Sequence, residues 1–388
     1  MTRIALVAGP DAGHAFPAFA LAERLSVAGF GTVVYTGRSR LDAEVAEGVE
    51  IAELPGLDIV AGDDDADAGA KLSHRAARIA VALAPDLALR GVDLVISDVI
   101  TVGGAWAAEL VGVPWIELSP HPLYLPSRAL PPIGSGLDRG VGVRGRLRDA
   151  AMRAASGHSV RQGECQRRAA RSEIGLRGPD LPAARFVATL PALEVYRPDW
   201  PADTHLIGPL LWEPTDAVFE RPSGVEPLVM VAPSTAETGV DFAATALVAL
   251  DERALGMPVR VVVSALRVPE GVTPSDHVAV GTGRQDDVLR HAQAVVCGGG
   301  HGMLAKSLLA GVPVVIVPGG GDQWELANRV RRQGSGVAVR PLEVGALATA
   351  VRQVLVDPVF AAAAGRAAES VRGVVDPVRV VERLTGHR

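Results

Sequence analysis

Cysteine is nearly absent from this chain of 388 residues: Cys165 and Cys297 are the only two, and they stand far apart. They build neither a disulfide framework nor a cysteine zinc cluster, and a reducing, cytoplasmic setting is expected. Lysine is as scarce, with only Lys71 and Lys306. The remaining basic charge is arginine, read as the bias of a high-GC genome and given no functional weight. Positive charge is not in excess, the formal net charge being -6, so neither nucleic acid nor an anionic membrane surface is an expected partner. No apolar run approaches the ~18 residues of a membrane span. The apolar stretch at residues 4–8 gives way to Asp11 too soon to be a signal-peptide core. No acidic cluster suggests a divalent-metal site, so metal ligands are expected to be none. No strand turn spells G-x-G-x-x-G with a following ribose acid, which disfavours a nicotinamide dehydrogenase.

What is present is a folded, mostly apolar chain. Apolar residues make up 48% and charged residues 21%, and the length suits two or three domains. "RIALVA" reads as a buried strand and "GPDAGH" as the loop after it. Ala18, Leu21, Ala22, Leu25 and Ala28 then recur at helical spacing until Gly29. "TVVYT", "DLVISD" at residues 93–98 and "WIEL" are further strands, with a small-residue helix from about Gly103 to Leu110 between the last two. From Leu123 to Arg185 the pattern weakens into a loop and one or two arginine-rich helices, and "GDDDADAG" near residue 65 reads as a surface loop. After a proline-rich passage the alternation restarts with "LVMVA", "VRVVVSA", "HVAVG", "AVVCG" and "VPVVIVP".

Alternating strands and helices imply parallel sheets covered on both faces. The expected fold is α/β, with two Rossmann-like doubly wound domains facing a cleft. The first spans residues 1–205, a linker 206–226 and the second 227–370, while residues 371–388 return toward the N-terminal domain. Ligands of such sheets sit beyond the carboxyl ends of the strands, here in the interdomain cleft.

The densest signal is "CGGGHGMLAKSLLAGVPVVIVPGGGDQWELANRV", residues 297–330. Cys297 ends a strand and Met303 begins a helix, so Gly298, Gly299, Gly300, His301 and Gly302 form a strand-to-helix turn. Unpaired N–H groups at a helix start favour an anion, and glycines let a phosphate approach the backbone. "PGGGDQ" follows the next strand on the same edge, where Asp322 and Gln323 can bond vicinal hydroxyls. A phosphate cradle beside a hydroxyl-reading pair describes a nucleotide sugar.

On these residues the chain resembles the UDP-glycosyltransferase superfamily (glycosyltransferase family 1, GT-B fold), particularly its bacterial antibiotic and natural-product members. "GHAFP", "VDLVISD" and "HLIGPLLW" resemble further segments of that family. Gly298 stands where the family often has a diphosphate-contacting His, and Met303 where it usually has Ser or Thr. Some antibiotic glycosyltransferases share the "CGGG" turn. Gln285 of "TGRQ" keeps one residue of the base-binding segment without its aromatic.

The resemblance implies an inverting, metal-independent transfer of a sugar from a UDP- or TDP-sugar to a small hydrophobic acceptor, with no cofactor. It implies His14 as the base that takes the acceptor proton and Asp98 as its partner, with Asp11 as a rival base. Ser234, Gln285, Gly298, Gly299, Gly300, His301, Gly302, Lys306, Asp322 and Gln323 are implied to hold the donor. Lys306 or His301 is expected to supply the positive charge lost with the usual His and Thr. His121 reads as part of a structural turn, with a place in the acceptor pocket as the alternative, and the region from Leu123 to Arg168 is expected to build an apolar acceptor pocket. A homodimer is left open, as are a nucleotide-sugar epimerase and a non-catalytic nucleotide-sugar-binding auxiliary module.

Overall fold

A computed structural model describes residues 1–37, 49–58, 60, 67–233, 242–265 and 272–386. Ser234 and most of the acidic stretch near residue 65 lie outside the described residues.

Seven strands build the first sheet: β1 (Arg3–Val7), β2 (Gly31–Thr36), β3 (Glu50–Glu53), β4 (Leu94–Asp98), β5 (Trp115–Ser119), β6 (Ala184–Val187) and β7 (Thr204–Leu206). Between them run α1 (Ala12–Val27), α2 (Ala68–Arg90), α3 (Gly103–Val111) and α4 (Gly142–Glu173). The strand order is β3-β2-β1-β4-β5-β6-β7, and every pairing is parallel. Alternation along β1 divides its neighbours by face. Ile4 and Leu6 pack with α1, and Ala5 and Val7 pack with α2 and α3. Both faces are therefore dry, which is why β1 and β4 read as near-continuous apolar runs.

The second sheet repeats the design with β8 (Leu228–Ala232), β9 (Arg260–Ser264), β10 (Val278–Gly281), β11 (Ala294–Cys297), β12 (Val314–Ile316) and β13 (Gly336–Ala338). Its order is β10-β9-β8-β11-β12-β13, again all parallel. Its helices are α5 (Phe242–Leu250), α6 (Glu252–Leu255), α7 (Gln285–Leu289), α8 (His301–Leu309), α9 (Gln323–Gln333), α10 (Val344–Val356), α11 (Pro358–Glu369) and α12 (Pro377–Thr385). In each sheet the order reverses between two neighbours, β1 and β4 in one, β8 and β11 in the other. Crossovers leave in opposite directions there and open a crevice at the strand ends, the place where doubly wound sheets take ligands.

Two helices start earlier than their periodicity indicates. α1 begins at Ala12 rather than near Ala18, so His14 lies in its first turn and not in a loop. The Asp11 carbonyl accepts from the N–H groups of His14 and Ala15 at 2.9 Å, which closes that turn. Gly13 and Pro17 hide the helix from a propensity reading, because Pro is tolerated only near a helix start. α8 begins at His301, two residues before Met303. The arginine-rich region is one helix, α4, of 32 residues.

The expected linker is not free chain. Ile207, Leu210 and Trp212 belong to the first core. Trp212 packs 4.9 Å from Phe16 and 5.2 Å from Phe19, and its Nε1 donates to Glu23 at 2.9 Å. α12 crosses back as well. Val380 and Val381 are fully buried with Ile4, Leu6 and Phe19, each contributing about 1.5–3 kcal/mol by burial. Among the described residues no single helix is long and apolar enough to cross a membrane.

Candidate active site

His14 and Asp98 meet at the crevice of the first sheet. His14 is in the first turn after β1, and Asp98 is the last residue of β4, the neighbouring strand. Nδ1 of His14 lies 2.8 Å from Oδ1 of Asp98, whose side chain is fully buried. The other carboxylate oxygen accepts from the N–H groups of Ile100 and Thr101 at 3.1 and 3.2 Å and from the Thr101 hydroxyl at 3.3 Å. That turn pins Asp98, and Asp98 pins the ring, so Nδ1 carries the hydrogen and Nε2 is left as the basic atom. Burial alone would lower the His14 pKa. The hydrogen bond and charge of Asp98 outweigh it, with help from Asp11 and Asp322, and raise the pKa above the ordinary histidine value.

A cavity of about 470 Å³ opens in front of His14 and is lined from both domains. Asp11, Phe16, His121 and Trp212 line it on the N-terminal side, and Gln285, Gly298, Gly300, His301, Gly302, Met303, Lys306, Asp322 and Gln323 on the other. Gly299 and Asp98 stand behind its wall. Residues 123–168 are absent from the lining of this cavity. α4 runs beside α2, tied by Gln166 to Asp67 at the start of α2 and by Arg171 to Glu109 of α3. The apolar wall beside His14 comes from Phe16, Pro17, Leu210, Leu211 and Trp212.

The glycine turn sits where expected, at the crevice between β11 and β8. Gly300 occupies the N-cap position of α8, so the N–H groups that follow have no acceptor within the helix. Gly299 holds φ +86°, and a Cβ there would stand 2.7 Å from Ile316. Gly302, by contrast, has open space around its Cα. The two positions therefore separate stability from binding. Gly299→Ala is expected to destabilise the protein by roughly 2–4 kcal/mol, combining backbone strain with overpacking. Gly302→Ala should leave the urea midpoint near the parent value, since Ala suits a helix, while its methyl weakens nucleoside diphosphate binding measured by calorimetry. Equal midpoints for the two variants would refute this division.

Both residues expected to supply positive charge at the turn line the cavity and have partners within the protein. His301 donates or accepts at 2.8 Å with the Thr189 hydroxyl, and burial, with His121 and Arg329 nearby, pushes its pKa down to about 3. Lys306 is spoken for: Nζ pairs with Glu213 at 2.8 Å and donates to Oε1 of Gln285 at 3.0 Å. Gln285 in turn donates to Ser264 at 3.2 Å. Gln323 accepts from the Gly319 N–H at 2.8 Å, and Asp322 accepts from the Tyr124 hydroxyl at 3.0 Å. Glu213, Thr189 and Tyr124 were not singled out in the sequence. The one trace of Glu213 is its place in the Trp-Glu-Pro of the linker.

His121 does reach the cavity. It lies 6.4 Å from His14, edge to face, and stacks 4.3 Å from Tyr124. Its Nδ1 donates to the Pro122 carbonyl at 2.8 Å, and burial lowers its pKa.

Residues 241–386 match the family of the erythromycin biosynthesis protein CIII-like, C-terminal domain. The chain is 29% identical over 322 residues to 4'-demethylrebeccamycin synthase of Lentzea aerocolonigenes, covering 75% of this chain and 74% of that protein. It is 29% identical over 337 residues to O-mycaminosyltylonolide 6-deoxyallosyltransferase of Streptomyces fradiae, covering 76% and 75%. The Streptomyces sp. SF2575 glycosyltransferase SsfS6, solved in complex with thymidine diphosphate, superposes with a TM-score of 0.67 at 18% identity, over 99% of this chain and 100% of that one. The chain has the GT-B fold and is similar to glycosyltransferases of antibiotic pathways. In this chain the two crevices of the doubly wound sheets face one another. One carries the His14–Asp98 pair and the other the glycine turn.

Proposed function

We propose that the enzyme transfers a sugar, with inversion, from a nucleoside-diphosphate sugar to a hydroxyl of a small hydrophobic acceptor. The observation that carries this reading is a single cavity with a histidine–carboxylate pair on one wall and a glycine-lined helix N-terminus on the other. His14 Nε2 takes the proton of the acceptor hydroxyl. The acceptor oxygen attacks the anomeric carbon from the face opposite the diphosphate, and the bond from that carbon to the diphosphate oxygen breaks. One displacement inverts the centre. The N–H groups at the start of α8 stabilise the negative charge that grows on the leaving diphosphate. Asp322 and Gln323, on the neighbouring loop, bond the sugar hydroxyls, and the apolar wall around Phe16 and Trp212 seats the acceptor.

The donor base is proposed to be uracil or thymine, in keeping with the thymidine diphosphate bound by SsfS6. The direct test is to mix the protein with UDP, TDP and GDP, each alone, and then with the matching sugar donors. One diphosphate should raise the melting temperature, because a ligand at 100 times its Kd adds ~2.7 kcal/mol. Its sugar donor should release nucleoside diphosphate when a hydrophobic acceptor is added. Stabilisation without turnover would favour an auxiliary binding module, a reading fed by the neutral His301 and the paired Lys306. No stabilisation by any of the three would end the proposal.

A further inference from the structure

One contact joins the two walls at the place where the donor sugar is expected. The hydroxyl of Tyr124, from the N-terminal domain, donates to Oδ2 of Asp322 at 3.0 Å. The Tyr124 ring is held independently of that bond: it stacks on His121 and lies 5.7 Å beneath the Arg329 guanidinium. Burial, together with the charge of Asp322, raises the phenol pKa, so the hydroxyl stays protonated and remains a donor. Asp322 precedes α9 without capping it, since its carboxylate makes no bond to the helix's N–H groups. Tyr124 is thus the contact that fixes the rotamer of this carboxylate.

We propose that Tyr124 is a positioning residue for the donor sugar. Resting on the function proposed above, it orients Asp322 so that the carboxylate oxygen not bonded to Tyr124 faces the sugar hydroxyls. It touches neither the diphosphate nor the reacting atoms. The acceptor-side loop that carries His121 thereby shapes donor recognition, and the two substrates share one rigid frame.

The experiment compares Tyr124→Phe, Asp322→Ala and the double variant in the full chain. Phenylalanine keeps the ring stack on His121 and removes only the hydroxyl. Tyr124→Phe should raise the KM of the nucleotide sugar roughly tenfold, the effect of one hydrogen bond to a charged group. The inhibition constant of the free nucleoside diphosphate should stay within twofold, because that ligand lacks the sugar. In the Asp322→Ala background, where no acceptor is left, the same change should have little further effect, since interacting residues are non-additive. An unchanged KM in Tyr124→Phe overturns the proposal, as does an equal KM effect with and without Asp322. A general disturbance of the fold would weaken nucleoside diphosphate as much as nucleotide sugar, which also overturns it. If the parent enzyme turns over no nucleotide sugar, the function proposed above fails instead, and the two failures are distinct.

Discussion

His14→Ala is expected to lower kcat by about 10²–10⁴, the usual contribution of a general base, while the KM of the donor changes little. The ring lies at the acceptor end of the cavity, and its removal leaves the glycine turn and Asp322 intact. A loss below threefold in a variant with parental circular dichroism would remove His14 from the chemistry. The pH profile gives a second check. The base acts when neutral, and its pKa is raised, so activity is full at higher pH and falls as pH drops through a midpoint above 6.5. In Asp98→Asn the stabilising charge is gone and burial dominates, so the acid limb should move to lower pH. The same variant should also lose turnover, because the amide no longer fixes which ring nitrogen carries the hydrogen. An acid limb that stays in place would mean that another group titrates.

Arg329→Met is expected to destabilise the protein by roughly 3–5 kcal/mol, the cost of leaving buried charge without its partner. Arg329 is 3% exposed and reaches from α9 into the first domain. It donates to the Leu193 carbonyl at 2.9 Å, to Glu194 at 3.1 Å and to Glu325 at 3.0 Å. Both carboxylates are also buried, at 6% and 9% side-chain exposure. Methionine fills the volume but removes the ion-pair partner of Glu325 and one of the partners of Glu194, which keeps the Leu123 N–H at 2.7 Å and Arg197 at 3.9 Å. The triple change of Arg329→Met, Glu194→Gln and Glu325→Gln should recover part of the loss, since neutral groups bear burial better. Urea unfolding of the parent, the single variant and the triple variant measures it. A single variant within 1 kcal/mol of the parent would show that water reaches these carboxylates.

Much of this molecule is legible in sequence because parallel strands buried on both faces have a plain signature. "LVMVA" and "AVVCG" are apolar throughout, and their ends carry the residues that matter. His14 and Asp98 are 84 positions apart, yet one follows β1 in the first turn of α1 and the other closes β4, and doubly wound sheets put such places together at the crevice. The glycine turn and the Asp322–Gln323 pair are legible for the same reason. The start of α1 is not, because Gly13 and Pro17 in its first turns oppose the helical preference of the alanines beside them. Neither are the contacts that spend the donor-side polar groups. Tyr124 and Asp322 lie 198 positions apart, and no periodicity links a loop of one domain to a loop of the other. Lys306, one of two lysines, invites a role at a phosphate, but nothing in the sequence shows that Glu213 from the linker pairs with it. Nothing in "GGGHG" reveals how dry the His301 ring is.

The return of α12 bears on how the chain is made. The first core is finished by Val380 and Val381, residues made long after Ile4, Leu6 and Phe19. While the second half is being synthesised, that patch lacks its final cover. The amino-terminal half therefore waits, incompletely sealed, for α12 to arrive.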